Sequence, residues 1–325
     1  MRVLVTGASG FVGVNLVAAL LARGHDVHAL SADALPVNAV AGWRSLPGRL
    51  VDETGDVCDT GAMAKRLRDG KFDAIWHGAA ITANLEREKR EARRILEVNL
   101  LATVDLVEAA ARSGVRRFVY PSSSSVYGQT THEGTAPMGE DEPLQPFVLY
   151  GISKMAAEKA VLHLARERGL EACAGRINAV FGPWERDTGL RDTLSPHLNL
   201  FFKAREGREA ILARGGERDW VYAPDVADAF VAMLEAPSVP YLPMNISMAE
   251  RWNLEVMAKA LAASPLALRW RFANEGEETN LRYGSPLHPP RRALSNARIT
   301  QVLGWKPKWT PETACADYVG WLQTR

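Results

Sequence analysis

Three glycines at positions 7, 10 and 13, directly behind the apolar run Val3-Leu4-Val5-Thr6, constrain this chain more than any other feature. A strand that ends in a glycine turn and opens at once into a helix uses each glycine differently. Gly7 permits the tight turn, Gly10 lets the backbone approach a pyrophosphate, and Gly13 lets helix and strand pack closely. The exposed N–H groups and the dipole of the helix then hold the anion. A glycine trio alone is weak, because any tight strand–helix turn can use glycine. Its position right after VLVT at the start of the chain favours a dinucleotide loop, and on that reading Gly7, Gly10, Phe11, Val12 and Gly13 contact the cofactor.

The pattern that follows agrees. Strands are expected at residues 2–6, 26–30, 73–76 and 116–121, with helices at 14–23, closed by Gly24, and at 86–113, stopped by Gly114. Strand–helix alternation of this kind builds an α/β fold, a parallel sheet with right-handed crossovers. The second half is less regular. A helix is expected from 150 to about 168, a strand at 171–178, a Gly/Pro/Arg-rich interruption at 181–196, and helices at 225–235, 254–262 and 311–323. The 325 residues suggest about two domains. The chain leaves and re-enters the nucleotide fold, so no sharp boundary is expected.

Composition removes several classes. Thirty-nine basic residues against thirty-eight acidic leave a net charge of +1, which gives no electrostatic case for a nucleic-acid partner. No apolar run approaches the ~20 residues of a bilayer span, and the N-terminus shows no signal-peptide cleavage pattern. Cys58, Cys173 and Cys315 lack metal-ligand spacing and fit free thiols in a reducing cytoplasm, the expected location. The histidines at 25, 28, 77, 132, 163, 197 and 288 are scattered, so no metal site is expected. His77 is expected to pack at a strand end, and the charged run 86–94 to form one solvated helix face with i,i+4 pairs.

At the end of the second strand stands Ser31 rather than the acid that would bond a ribose 2′-hydroxyl. No Arg or Lys lies between Arg23 and Arg44 to welcome a 2′-phosphate, so NAD is favoured over NADP. Asp33 either reaches the diol or is a solvated loop acid. Further on, Tyr150-Gly-Ile-Ser-Lys154 sets a phenol and an ammonium four apart, on one helical face. The ammonium favours the phenolate, which can accept or donate the proton that moves with a hydride. YxxxK alone also describes any amphipathic helix start. Upstream, Pro121-Ser-Ser-Ser-Ser-Val-Tyr-Gly128 ends a strand and exposes hydroxyls able to bind a substrate oxygen.

TGASGFVG, GDVCD, HGAA (77–80), VN (98–99), SSSSVYG, YGISK, RINAVFGP (176–183), RDWVYAPDVADA (218–229) and LGWKP (303–307) occur in the order of the NAD-dependent sugar epimerase/dehydratase family, and span nearly the whole chain. The resemblance implies a Rossmann-type doubly wound sheet with a smaller C-terminal substrate-binding lobe. Residues 1–178 would form the nucleotide domain, re-entered around 219–246, and 179–325 mainly the lobe, anchored by Trp305 and Trp309. It implies Tyr150 and Lys154 as the catalytic pair and Ser123, three before Val126, as the catalytic hydroxyl. Asn99 matches the buried helix asparagine, counted with the cofactor site, as are Ser31, Asp56, Val57, Ala79 and Ala80. Asp56 matches the adenine-contacting acid, and its bland reading is a loop cap. Ser124, Asn178 and the Phe181, Gly182, Pro183 loop match the substrate side. Arg218 and Arg291 match arginines that grip a nucleotide-sugar diphosphate, so an anionic substrate is expected. Arg186 and Arg191, in the unmatched loop 184–197, are candidates to narrow the pocket around a smaller carboxylate.

The departure that matters is at Ser124 and Ser125, where the sugar 4,6-dehydratases carry acids that drive loss of water. The leading expectation is therefore 4-epimerisation of a nucleotide sugar, by hydride removal and return. The alternatives are net dehydrogenation of a sugar acid or hydroxyamino acid, and a non-catalytic NAD-binding scaffold. The long 86–113 and 150–168 helices would pair with a second copy as a four-helix bundle, giving a homodimer.

Overall fold

Alternation of short β-branched runs with helices produces a parallel sheet, and the computed structural model, which describes residues 1–187, 194–281 and 291–324, has one. Arg191 and His288 lie outside the described residues. The elements of the first half are β1 (Arg2–Thr6), α1 (Phe11–Ala22), β2 (Asp26–Ser31), α2 (Val37–Trp43), β3 (Arg49–Thr54), α3 (Thr60–Gly70), β4 (Ala74–His77), α4 (Leu85–Leu96), α5 (Ala102–Arg112) and β5 (Arg117–Ser123). Then come α6 (Leu149–Glu167), β6 (Glu171–Ile177), β7 (Ala179–Phe181), α7 (Pro196–Arg205), β8 (Ala210–Leu212), β9 (Trp220–Tyr222), α8 (Ala223–Glu235), β10 (Pro243–Ile246), α9 (Glu255–Ala262), β11 (Trp270–Phe272), α10 (Ala297–Leu303) and α11 (Pro311–Gln323).

Seven strands form one sheet in the order β10-β6-β5-β4-β1-β2-β3, every pair parallel. Both faces are covered, which is why the inner strands read as continuous apolar runs. On one face Val14 and Val17 of α1 share a core with Val226 and Phe230 of α8. On the other, Leu106 and Ala110 of α5 meet Ala157 and Val161 of α6. The order reverses direction beside β1, so the carboxyl ends of β1 and β4 flank the crevice where such sheets bind ligands. A separate core gathers Phe181, Leu198, Trp220, Leu261 and Tyr318, from β7, α7, β9, α9 and α11, with Trp252 from the segment before α9.

The expected 86–113 helix is not one α-helix. A π-helical turn over Glu97–Leu101 separates α4 from α5 and contains Asn99. Single π turns of this kind often mark functional sites.

Arg117, fully buried on β5, ties the sheet to the end of α8. Its Nη1 donates to the carbonyls of Met233 (3.3 Å), Leu234 (2.9 Å) and Ala236, and its Nη2 to Glu171 (2.5 Å). A cation there meets the negative end of the α8 dipole and satisfies carbonyls with no helical partner. Arg117→Met leaves those groups unpaired and should cost about 3 kcal/mol in denaturant unfolding. A loss under about 1 kcal/mol would show that the bracing is ornamental.

Candidate active site

The site begins where no side chain fits. Gly7 sits at φ +66°, and a β-carbon on it would lie 2.6 Å from the Ala79 backbone nitrogen. One on Gly13 would lie 2.3 Å from the Gly7 carbonyl oxygen. The backbone of β1's end and of the segment after β4 therefore meet directly, and α1 starts at Gly10 with no side-chain cap. Its first N–H groups stay available to an anion. Ser31 explains the missing acid in part: its buried Oγ accepts from the Ser9 N–H (2.8 Å) and so braces the turn.

A cavity of about 600 Å³ opens from this turn. Its wall includes Gly7, Gly10, Phe11, Val12, Gly13, Ser31, Asp33, Asp56, Val57, Ala79 and Ala80, and also Ser123, Ser124, Tyr150, Lys154, Asn178 and Arg291. Of the expected site residues, Asn99, Arg218 and the Phe181, Gly182, Pro183 loop are not on that wall. Asn99 is buried behind it, where Oδ1 accepts from the Ile81 N–H (2.8 Å) and Nδ2 donates to the Ile81 carbonyl (3.0 Å) and Ser153 Oγ (3.1 Å). It pins the wall to α6 from behind. Arg218 is half-buried behind Arg291, and burial together with the Arg291 charge pushes its pKa down to about 10. Neither arginine has a carboxylate partner among the described residues. Two like charges left together in this way favour an anion between them.

The reactive hydroxyls come from two elements. Ser123 closes β5, with Oγ accepting from the Ser125 N–H (3.1 Å). Tyr150 and Lys154 occupy the first turns of α6, and Lys154 Nζ donates to the Pro121 carbonyl (2.7 Å) while lying 4.5 Å from the centre of the Tyr120 ring. Burial pushes the Lys154 ammonium down to about 7, against the opposing pull of Glu158 one turn on. Glu158 is itself held by Arg176 in a buried pair (2.6 Å), and Arg176 also donates to Tyr127 Oη (2.9 Å) and the Glu140 carbonyl (2.8 Å). Asn178 bonds buried Asp219, which accepts from the Met248 and Leu294 N–H groups (3.0 and 2.9 Å). Burial raises Asp219 to about 6.

The charged run 86–94 differs from the expected solvated face. Arg87, Glu91 and Arg94 line the cavity, with Arg87 bonded to Glu91 (3.0 Å) and Arg94 to Asp56 (2.8 Å). Spacing i, i+4, i+7 puts them on one stripe, a signal present in the sequence. Asp56 also accepts from the Cys58 N–H (2.9 Å); that bond, then Arg94, holds its carboxyl below the usual range. Arg186 differs too: its Nη2 donates to the Ser9 carbonyl (3.1 Å), at the glycine turn. Among the described residues no cluster of His, Cys, Asp and Glu could hold a metal, and no helix is long and apolar enough to cross a membrane.

A glycine turn at a helix N-terminus and a Ser–Tyr–Lys set on the wall of one cavity define a dinucleotide-dependent oxidoreductase of the extended short-chain dehydrogenase/reductase type. The sequence model of the NAD-dependent epimerase/dehydratase family matches residues 3–247. A UDP-glucose 4-epimerase of Mycolicibacterium smegmatis is 31% identical over 95% of this chain and 94% of its own length. A 3-beta-hydroxysteroid dehydrogenase of Mycolicibacterium neoaurum is 30% identical over 97% and 90%. Among solved structures, MoeE5 in complex with UDP-glucuronic acid and NAD superposes with a TM-score of 0.80 at 25% identity, covering 100% of this chain and 99% of that one. The chain belongs to the NAD-dependent epimerase/dehydratase family, and NAD is its cofactor.

Beneath the turn lies a buried imidazole. His77 Nδ1 bonds Thr6 Oγ1 (2.7 Å) and Nε2 bonds Thr103 Oγ1 (3.0 Å), and burial with the Lys154 charge pushes its pKa to about 3. An unfolded chain takes up this proton at the ordinary value of 6.5, so between there and about 3 the unfolded state binds more protons. The contribution is complete above the ordinary value and is lost as pH falls. His197, buried in the second core, is lowered the same way. Denaturant midpoints should therefore drop from pH ~7 to ~5, and His77→Asn should flatten part of that slope. Parallel slopes in the two proteins would mean that His77 does not carry it.

Proposed function

We propose that the protein is a nucleotide-sugar 4-epimerase. The observation that carries this reading is one cavity wall bearing the glycine turn, the Ser123–Tyr150–Lys154 set and Arg291, with Arg218 behind it. Ser123 binds the C4 hydroxyl, and Tyr150 takes its proton as the Lys154 ammonium favours the phenolate. NAD, when bound, supplies the hydride acceptor. The pocket then lets the ketone turn to its other face, and Tyr150 returns the proton to the C4 oxygen. Ser124, Asn178, Arg218 and Arg291 hold the sugar and diphosphate, with the two arginines supplied by the mainly substrate-binding lobe of 179–325, while 1–178 and the stretch around 219–246 carry the nucleotide.

Water elimination is not part of this reading. Ser124 and Ser125 stand where the dehydratases have acids, and the carboxylates on the described wall are Asp33, Asp56 and Glu91, with Asp56 and Glu91 paired to arginines. NAD is preferred to NADP because Ala32 and Asp33, not a cation, follow Ser31 on the wall. The hydroxysteroid dehydrogenase relative supports net dehydrogenation as the second reading. We also place the protein in the cytoplasm as a homodimer. Leu101 and Ile152, on the π turn and α6, and Leu85 on α4 are large exposed apolar side chains that a four-helix bundle would cover.

With UDP-glucose and only the NAD that co-purifies, the protein should form the 4-epimer without accumulating NADH. Tyr150→Phe should cut that rate by ~10²–10⁴ while NAD binding persists. A near-normal rate in the variant contradicts the mechanism, and no UDP affinity in the wild type moves the reading to the small-substrate dehydrogenase. Leu101→Arg should shift the protein toward monomer in size-exclusion chromatography with light scattering, and an unchanged mass would remove the bundle.

A further inference from the structure

We propose that Arg186 is a cofactor-binding residue whose guanidinium closes over the glycine turn and pairs with the pyrophosphate of NAD. The turn itself, Gly7 to Gly13, carries no cation, so a doubly charged pyrophosphate meets only backbone N–H groups there. Among the described residues the cations on the cavity wall are Arg87, Arg94, Lys154, Arg186 and Arg291. Arg87 and Arg94 are bound to Glu91 and Asp56, Lys154 is bound to the Pro121 carbonyl, and Arg291 stands with Arg218. Among the described cations of the wall, Arg186 alone bonds the turn, through Ser9 at 3.1 Å. It has no carboxylate partner among the described residues. Its fork carries five donors, and one bond to Ser9 leaves the others for phosphate oxygens.

Two sets of bonds fix the residues just before Arg186. Asn15 on α1 donates to the Pro183 carbonyl (2.9 Å), just before it. Buried Glu185 accepts from the Ser195 N–H (2.6 Å) and Ser195 Oγ (2.5 Å), at the start of α7. Residues 183–186 are therefore held where Arg186 reaches the Ser9 carbonyl. The sequence suggested a side chain that narrows the pocket around a smaller carboxylate, but its contact is at the cofactor end.

A pyrophosphate clamp makes a distinctive demand, because that group is the same in oxidised and reduced cofactor. Arg186→Ala and Arg186→Lys in the whole chain would be titrated with NAD+, NADH, ADP-ribose and UDP, following tryptophan fluorescence. Arg186→Ala should weaken the first three by one shared factor of about ten or more, with lysine restoring part of it and UDP unchanged. Less NAD should also co-purify, at an unaltered melting temperature. Unchanged dinucleotide affinity, a loss confined to one redox form, or a loss of UDP instead would each overturn the proposal. The inference rests on the cofactor and not on the 4-epimerase reading. Wild-type protein that fails to bind UDP would sink that reading while leaving the dinucleotide arm to decide this one.

Discussion

Contact of backbone with backbone at Gly7 is the constraint on which the site depends. Because no β-carbon fits between it and Ala79, β1 and the segment after β4 close up at their carboxyl ends, and α1 can begin directly over the gap. That places uncapped helix N–H groups at the head of the cavity. Ser31 then becomes intelligible as a brace for the turn, a role an acid aimed at a ribose would not fill in the same way.

Holding Tyr150 and Lys154 against this fixed edge is the task of buried polar bonds. Arg176 on β6 reaches Glu158 on α6, Tyr127 and Glu140, and Tyr127 Oη donates to Asn245 on β10 (2.8 Å). Removing one member strands the others in an apolar interior, so the network acts as a unit. From the opposite side, Asn99 on the π turn fastens Ile81 to Ser153, one residue before Lys154. The ammonium is thus placed by α6 as a whole, and its desolvation is what brings it near neutrality.

Much of this was legible in the sequence where the chemistry is local. The glycine turn, the Tyr–Lys spacing, the serine run and the Pro311–Gln323 helix each announce themselves within a few residues. Elements whose stability comes from distant packing were not legible. α2 is only seven residues, β3 and α3 lie in a polar stretch, and among the described residues β3 is an edge strand paired only to β2. β7, β8, β9 and β11 are three residues each, too short for a periodic signal. Arg87 and Arg94 read as surface charge because only the tertiary fold turns their stripe toward the cavity. Asn99 stands out in the sequence, but its bonds are to the Ile81 backbone and Ser153 Oγ behind the wall, which spacing cannot reveal.

The central claim is that one hydroxyl-bearing carbon loses and regains the same hydride. UDP-glucose deuterated at C4, converted in ordinary water and analysed by mass spectrometry and NMR, tests it most directly. The account predicts that the deuterium remains at C4 of the epimerised sugar, with none in solvent or released NADH. Deuterium recovered in free NADH, or an epimer that has lost its label to water, would contradict it.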